Sequence, residues 1–408
     1  MITKETVKKL SSESDCYYLY DEQAIDAAIS LLKEKFVGID FLYSVKCNPH
    51  PEVVNRVLHS GFGSDAASLN EVLISAEAGL EKSKIFYSAP GKTPEDIKHA
   101  ITKSVLIADS LNEVKLIEQI AEENNISANI GLRINPNFSF AGDKGSPSKF
   151  GVDEDTALEF VKILHNKGNK NIKITGLHVH LKSQELNAET LRLYYDKMFA
   201  LAEKFKEIGL NLEFLNMGSG MGVPYSADDA ALDVDFLGKY VSGRVAEFKK
   251  NNPNTSVIIE TGRYIVCKSG IYVTKVLDKK TSFGKTFIIL KNTLNGFVRP
   301  SLAQLVEKYA RQEYPAATEP LYTGKNSFGF YTLKNNDTEK KETVSLVGNL
   351  CTGADIIAEN ISLPKLEIGD NVIISNAGAY RAVLSPMQFS SQIPPKQFYQ
   401  TATGEIKE

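Results

Sequence analysis

Tryptophan is absent from this sequence, and cysteine is scarce, with 4 residues in a chain of 408. Cys16, Cys47, Cys267 and Cys351 share no short paired spacing, which argues against both a zinc ribbon and a disulfide framework and points to a reducing compartment. No stretch offers the ~20 uninterrupted apolar residues of a membrane-spanning helix. The N-terminal run MITKETVKKLSSESD lacks the apolar core of a signal peptide, so the expectation is a soluble, cytoplasmic protein. Charge of one sign is also lacking: 47 Lys and Arg stand against 50 Asp and Glu, a formal net charge of -3. Such a balance creates no basic field to recruit nucleic acid or an anionic membrane, and leaves small molecules or protein as partners.

What is present is apolar content arranged in two patterns. With 42% hydrophobic and 24% charged residues, the chain is long enough for more than one core. From about residue 24 to 267, short apolar runs (VGIDFLYSV, SKIFYSA, SVLIAD, NIGLRIN, ITGLHVHL, LEFLNMG, SVIIET) alternate with segments apolar at i, i+3, i+4 and i+7. About eight strand-then-helix units in some 240 residues fit a (β/α)8 TIM barrel better than an open doubly wound sheet. Beyond residue 268 the runs become strand-like (GIYVTKVLDKK, KTFIILKN, VSLVGN, DNVIISNAGAY) with few helix candidates. The expected architecture is an α/β barrel over 24–267 and a β-rich barrel or sandwich over 268–408. Residues 1–23 would join the β-rich domain, with the early strand CYYLYD pairing there. Segment 323–343, rich in Lys, Asn, Gly and Thr, reads as a solvent-exposed excursion.

In such a barrel the C-terminal ends of the strands line the active-site mouth, and here those ends are polar. They carry Lys46, Asp65, Arg133, His178 with His180, the run Asn216-Met217-Gly218-Ser219-Gly220, and Glu260-Thr261-Gly262-Arg263. Taken alone, Lys46 in YSVKCNPH reads first as a snorkelling structural lysine, the commoner case, and second as a nucleophile whose pKa is lowered by burial. One of the HxH pair suits a hydrogen-bonded core histidine, and without a third convergent ligand the pair does not define a metal site. The turn NMGSGMGVP is either a tight loop or a backbone cradle for phosphate. Glu260 and Arg263 suit a surface ion pair or a partly desolvated one at the barrel mouth. Cys351 and Tyr380 are, taken singly, ordinary core residues.

As an ordered set, these residues resemble a known family, the alanine-racemase-like, fold type III pyridoxal-phosphate decarboxylases acting on diaminopimelate, ornithine or arginine. YSVKCNP resembles the cofactor-lysine motif Y-A-x-K-A-N, GFGSDAASLNE the D-x-x-S-x-x-E segment, and HVHLKSQ the strand H-x-H-x-G-S-Q. NMGSGMGVPY is similar to the phosphate-binding G-G-G-x-G, ETGR to E-P-G-R, CTGAD to C-E-S-G-D, and AGAY to G-A-Y. The likeness runs over about residues 16–400. It implies pyridoxal 5'-phosphate held covalently by Lys46, with His180 stacked on its ring and Glu260 at the ring nitrogen. Ser183, Gly218, Ser219, Gly220 and the turn Glu260, Thr261, Gly262, Arg263 would bind the phosphate, helped by Tyr380. Asp65 and Arg133 would orient the groups around Lys46. Cys351 would come from the other subunit of a homodimer as the acid that protonates the product. Arg263, Arg299, Thr352, Asp355 and Tyr380 would face the amino-acid substrate.

A carboxylate at the ring nitrogen keeps that nitrogen protonated and favours decarboxylation; racemases of the same fold place an arginine there. Non-catalytic relatives lack the β-rich domain, the lysine or the cysteine, all present here. Three positions depart from the family pattern. Thr352 follows the cysteine where diaminopimelate decarboxylases carry a glutamate for the distal ammonium, a loss of about 1–3 kcal/mol of recognition. Ala303 replaces the tyrosine of R-P-A-L-Y after Arg299, and Lys182 replaces the glycine before Ser183. The resemblance is therefore strongest to the siderophore and antibiotic branch, whose members act on an amino acid joined to a larger acyl group or carrier. Diaminopimelate decarboxylase of lysine biosynthesis is the alternative.

Overall fold

Each short apolar run in the first part of the chain forms a strand. In the computed structural model, which describes residues 1–167, 171–218, 220–226, 228–309, 327–334 and 340–408, the seven runs and the short segment Gly63–Ala66 make eight parallel strands. They are β1 Ile39–Ser44, β2 Gly63–Ala66, β3 Ile85–Tyr87, β4 Val105–Ala108, β5 Ala128–Asn135, β6 Ile172–His178, β7 Phe214–Asn216 and β8 Ser256–Thr261. Neighbours pair in order, and β8 closes on β1 with Glu260 opposite Leu42, so the (β/α)8 barrel is complete. Helices follow the strands, several started by a side-chain cap. Ser68 accepts from the Glu71 backbone N–H, Ser110 from that of Glu113, and Thr93 and Asp96 form a reciprocal box.

Barrel packing explains two glycines in the strand motifs. Leu42, Phe86, Ile107, Phe214 and Ile258 fill the interior, with Phe86 and Phe214 edge to face at 5.1 Å. A Cβ on Gly176 would lie 2.0 Å from the Phe214 ring, and one on Gly131 would lie 2.4 Å from Ile107 and 2.8 Å from Phe214. The aromatic ring thus takes the volume that side chains on β5 and β6 would otherwise fill. A cavity of about 440 Å³ opens at the N-terminal end of the strands, against Phe41, Phe86, Phe214 and Ile258. It lies at the opposite end of the strands from the predicted site residues.

The described chain divides into two units: Ile29–Gly222 with Ala231–Gly262, which holds the barrel, and Met1–Ala28 with Val223–Ala230 and Arg263–Glu408. The second unit is built on a mostly antiparallel sheet around the long strand Gly270–Ser282. The early strand Cys16–Asp21 pairs antiparallel with it and parallel with Lys396–Gln400, as the sequence suggested. Tyr17, Leu19, Val273 and Phe398 form a core with Val7 and Leu10 of the N-terminal helix Lys4–Glu13.

Two features of this unit differ from expectation. Arg299–Tyr309 is a helix with Pro300 in its first turn, where proline lacks only an N–H that would be unbonded anyway. Within 323–343, Phe330–Thr332 pairs with Asn371–Ile374, and Lys341 begins the strand Lys341–Gly348. Those residues are sheet rather than excursion; 323–326 and 335–339 lie outside the described residues.

Candidate active site

At the end of β1 the chain turns into a single 3-10 turn, Val45–Cys47, and Lys46 projects from it. This corrects the expectation of a lysine buried at a strand end: β1 stops at Ser44, and the Lys46 side chain is 43% exposed. Its Nζ lies 2.5 Å from Oδ2 of Asp65, a fully buried carboxylate on β2. Asp65 also accepts from Ser44 Oγ and Ser88 Oγ, each at 2.8 Å, so its oxygens are fixed before any ligand arrives. An amine that is reachable yet anchored suits covalent attachment of a carbonyl group better than a sealed one.

Glu260 is the second centre. Cross-strand register sets His178 on β6 beside Asn216 on β7, and β7 beside β8. The 3% exposed Glu260 therefore meets both neighbours. Asn216 Nδ2 donates to Oε1 at 2.9 Å, and His178 Nε2 stands 3.0 Å from the same oxygen. His180 Nδ1 lies 3.5 Å from Oε2, and its Nε2 is 3.2 Å from Ser183 Oγ. Burial alone would raise the Glu260 pKa, but His178 and His180 outweigh it and hold the carboxyl well below its ordinary range. Burial lowers the His178 pKa against the raising pull of the Glu260 carboxylate. His178 is thus the core histidine of the pair, and it borders the site carboxylate.

Arg133, on β5, donates to the carbonyls of Ser88 and His180, faces Asp109 at 3.5 Å and stacks on Phe150 at 4.3 Å. Burial lowers its pKa against the opposing pull of Asp109. Gly218 has φ +63°, and a Cβ there would lie 2.4 Å from the Val179 carbonyl oxygen and 2.9 Å from His180 Nδ1. A Cβ on Gly262 would press on Cys47 and Ser44, beside Lys46. Thr261 Oγ1 is buried with no hydrogen-bond partner among the described residues. Ser219 lies outside the described residues. This donor set fits pyridoxal phosphate: an accessible amine, an ionised carboxylate for a protonated ring nitrogen, an imidazole next to it, and glycines at 218 and 262 beside the buried Thr261 hydroxyl.

The remaining predicted residues belong to the second unit. Arg263 opens the short helix Arg263–Val266, hydrogen-bonds Tyr225 Oη and lies over the Tyr225 and Tyr380 rings at 5.5 and 4.8 Å. Tyr380 has φ +56°, an unusual backbone for a non-glycine residue. Arg299 is fully buried. Cys351 is exposed, and Thr352 Oγ1 accepts from the Ala354 N–H at 3.3 Å. Asp355 departs from expectation as a substrate contact. It is 3% exposed, and its carboxylate binds Thr293 Oγ1, Leu294 N at 2.9 Å and Leu350 N at 3.1 Å, which makes it a brace between loops. Tyr225 and Arg381 were not singled out from the sequence. Arg381 is 2% exposed beside the Tyr225, Phe297 and Phe328 rings, and the only hint of it is that it follows the AGAY motif.

Comparison with known proteins agrees with this geometry. Residues 22–267 match the family model for the pyridoxal-dependent decarboxylase, pyridoxal binding domain. An L-glutamyl-[BtrI acyl-carrier protein] decarboxylase of Niallia circulans is 30% identical over 391 residues, 93% of this chain and 87% of that one. Diaminopimelate decarboxylase of Helicobacter pylori is 29% identical over 385 residues, 92% of this chain and 88% of that one. The crystal structure of Helicobacter pylori diaminopimelate decarboxylase complexed with L-lysine superposes with a TM-score of 0.81 at 26% identity, covering 98% of this chain and 95% of that one. The family model spans every barrel strand and the relatives match the chain beyond it: this protein belongs to the pyridoxal-dependent decarboxylases, and is an amino-acid carboxy-lyase that works with pyridoxal phosphate.

Proposed function

We propose that the substrate is an amino acid joined to a larger acyl group or carrier, and that the product serves siderophore or other secondary-metabolite biosynthesis. The observation that carries this reading is Thr352. The position after Cys351 holds a neutral hydroxyl, itself engaged with Ala354, where recognition of a distal ammonium calls for a carboxylate. The glutamyl-carrier decarboxylase relative supports it. Diaminopimelate decarboxylation is the second reading, favoured by the relatives of that name and by the retained Arg299.

Pyridoxal phosphate, when bound, supplies the electron sink that makes loss of the α-carboxylate tolerable. This chain's residues set up that chemistry. Lys46 would hold the cofactor, and Asp65 keeps its Nζ in place. Glu260, kept ionised, would pair with a protonated ring nitrogen, and His180, beside it, would lie against the ring. Ser183, Gly218, Ser219, Gly220 and Thr261 to Arg263 take the phosphate, with Tyr380. Cys351, exposed on its own unit, serves the other copy of a homodimer as the acid that protonates the product carbon.

Incubating the holoenzyme with diaminopimelate and, separately, with γ-linked glutamyl conjugates, and measuring CO2 and amine, decides between the readings. Turnover of the conjugates with little on diaminopimelate is expected; fast release of lysine from diaminopimelate refutes the proposal.

A further inference from the structure

Tyr194 is fully buried on the helix Ala188–Glu207 that follows β6, and it reaches the strand ends of the candidate site. Its ring stacks on Phe140 with centroids 4.6 Å apart and meets Tyr195 at 5.5 Å. Phenylalanine would serve for that packing. The oxygen is what needs a reason, because a buried hydroxyl costs free energy unless it is hydrogen-bonded. Its one proton goes to the Met217 carbonyl at 2.8 Å, with the Val179 carbonyl at 3.3 Å as a second acceptor. Burial, then Tyr195 and Glu260, push the Tyr194 pKa well above its ordinary value, so the group remains a donor at any working pH.

The Met217 carbonyl and the Gly218 N–H belong to one peptide unit, and that N–H donates to Asn216 Oδ1 at 2.9 Å. The same side-chain amide donates from Nδ2 to Glu260 Oε1 at 2.9 Å. Both ends fix the amide, since an N–H can face only its oxygen and a carboxylate only its NH2 group. The Gly218 carbonyl is held in turn, accepting from the Glu260 N–H at 2.7 Å. Three donors therefore run head to tail, from Tyr194 through the Met217–Gly218 peptide and Asn216 to the carboxylate. Hydrogen bonds in such a chain strengthen one another, by roughly 10–30% per bond, where water is excluded. Water is excluded here: Asn216 has no exposure and Glu260 is 3% exposed.

We infer that Tyr194 is a positioning residue for Glu260: through the Gly218 peptide and Asn216, its hydroxyl aims that carboxylate at the cofactor's ring nitrogen and strengthens the bond that holds it. This rests on the pairing of Glu260 with the ring nitrogen, and its test needs no turnover. A tyrosine that only tied strand ends together would affect every cofactor-like ligand alike, whereas one acting on Glu260 affects ligands that have the nitrogen. The full-length holoenzyme is prepared with pyridoxal phosphate and, by exchange, with the 1-deaza analogue, in which C–H replaces the ring nitrogen. Equilibrium dialysis then gives a dissociation constant for each. The wild type is expected to prefer pyridoxal phosphate by about tenfold or more, because the analogue leaves a buried carboxylate unpaired. Tyr194→Phe should reduce that preference by about threefold or more while changing affinity for the analogue less than about twofold.

Failure of the pairing and failure of the inference are distinguishable. A wild type without preference removes the pairing of Glu260 with the ring nitrogen, and the role of Tyr194 with it. A wild-type preference that Tyr194→Phe retains, or an equal loss for both ligands, leaves the pairing standing and overturns the role of Tyr194. Asn216→Ser cuts the chain at its middle link and should also reduce the preference by about threefold or more. In that background, adding Tyr194→Phe should change the preference less than about 1.5-fold, since the link is already broken. A further threefold loss there shows that Tyr194 acts by another route and refutes the inference. If Tyr194→Phe loses its far-UV dichroism, Asn216→Ser carries the test alone, and a preference it leaves unchanged is equally fatal.

Discussion

Two lysines show how differently the same side chain is used. Lys92 is the buried one: its side chain has no exposure, and Nζ donates to Ala89 O at 2.6 Å, Ile107 O at 2.7 Å and Glu113 at 2.5 Å. Burial lowers its pKa and raises that of Glu113, yet each has the other as partner. Removing one member leaves an uncompensated charge, so Lys92→Met should cost about 3–5 kcal/mol in denaturant unfolding. Lys46 is half exposed but is the cation paired with the fully buried Asp65, so Lys46→Ala should cost about 1–3 kcal/mol of stability while abolishing the cofactor's visible absorption band. A band that persists in that variant refutes the assignment. His178 gives the pH dependence. Its native pKa is held below the ordinary 6.5, so above that pH folded and unfolded chains are both neutral there. As pH falls below 6.5 the unfolded chain takes up a proton that the native imidazole refuses, and stability declines by up to about 1.4 kcal/mol per pH unit. Glu260, ionised well below its ordinary 4.5, adds a loss of the same sign at lower pH. His178→Gln should flatten the upper part of this decline in unfolding curves taken at successive pH values.

Among the elements, the barrel was legible because strand-then-helix alternation has a fixed period, and because the polar ends of the apolar runs fall where a barrel puts its active site. The second unit was less legible. Leu302, Leu305 and Val306 have helical spacing, but the segment Arg299–Tyr309 was read through its Arg-Pro motif, and Phe330–Thr332 is too short to show alternation. Arg381 was invisible for a physical reason. Nothing local marks it as buried, since its ring partners Tyr225, Phe297 and Phe328 come from distant segments. Lys46 was misjudged because the exact end of β1 decides its exposure. Gly176, by contrast, has a packing role that only the Phe214 ring reveals, and Gly131 one that Ile107 and Phe214 share. Gly176→Ala should therefore destabilise the barrel by about 1–3 kcal/mol through overpacking, and Phe214→Ala by about 3–5 kcal/mol through a cavity. The double variant should be more stable than the sum of the two losses, because the added methyl enters the space the ring vacates. Strict additivity in urea unfolding would show that the glycine is retained for another reason.

For the molecule as a whole, the proposed division of labour between subunits has a consequence that single variants cannot reveal. If Lys46 and the cysteine that serves it belong to different copies, Lys46→Ala and Cys351→Ala are each defective in every site of their own homodimer. Cys351→Ala should keep the cofactor band, because the cysteine acts on the product carbon and not on cofactor attachment. Mixed and reassembled subunits change the arithmetic. Random pairing makes half of the dimers hybrids, and in each hybrid one site has both lesions while the other has an intact lysine and an intact cysteine. Half of the dimers with one good site in two gives about a quarter of wild-type activity from two nearly inactive parents. A cysteine that served its own chain's lysine would give no recovery at any mixing ratio, because every site would retain one lesion. Turnover measured across mixing ratios, with a maximum expected at equal amounts, therefore tests the shared site and the role of Cys351 together. Recovery with unchanged kinetics in the Cys351→Ala parent alone is not possible under this scheme, since that parent must itself be slow.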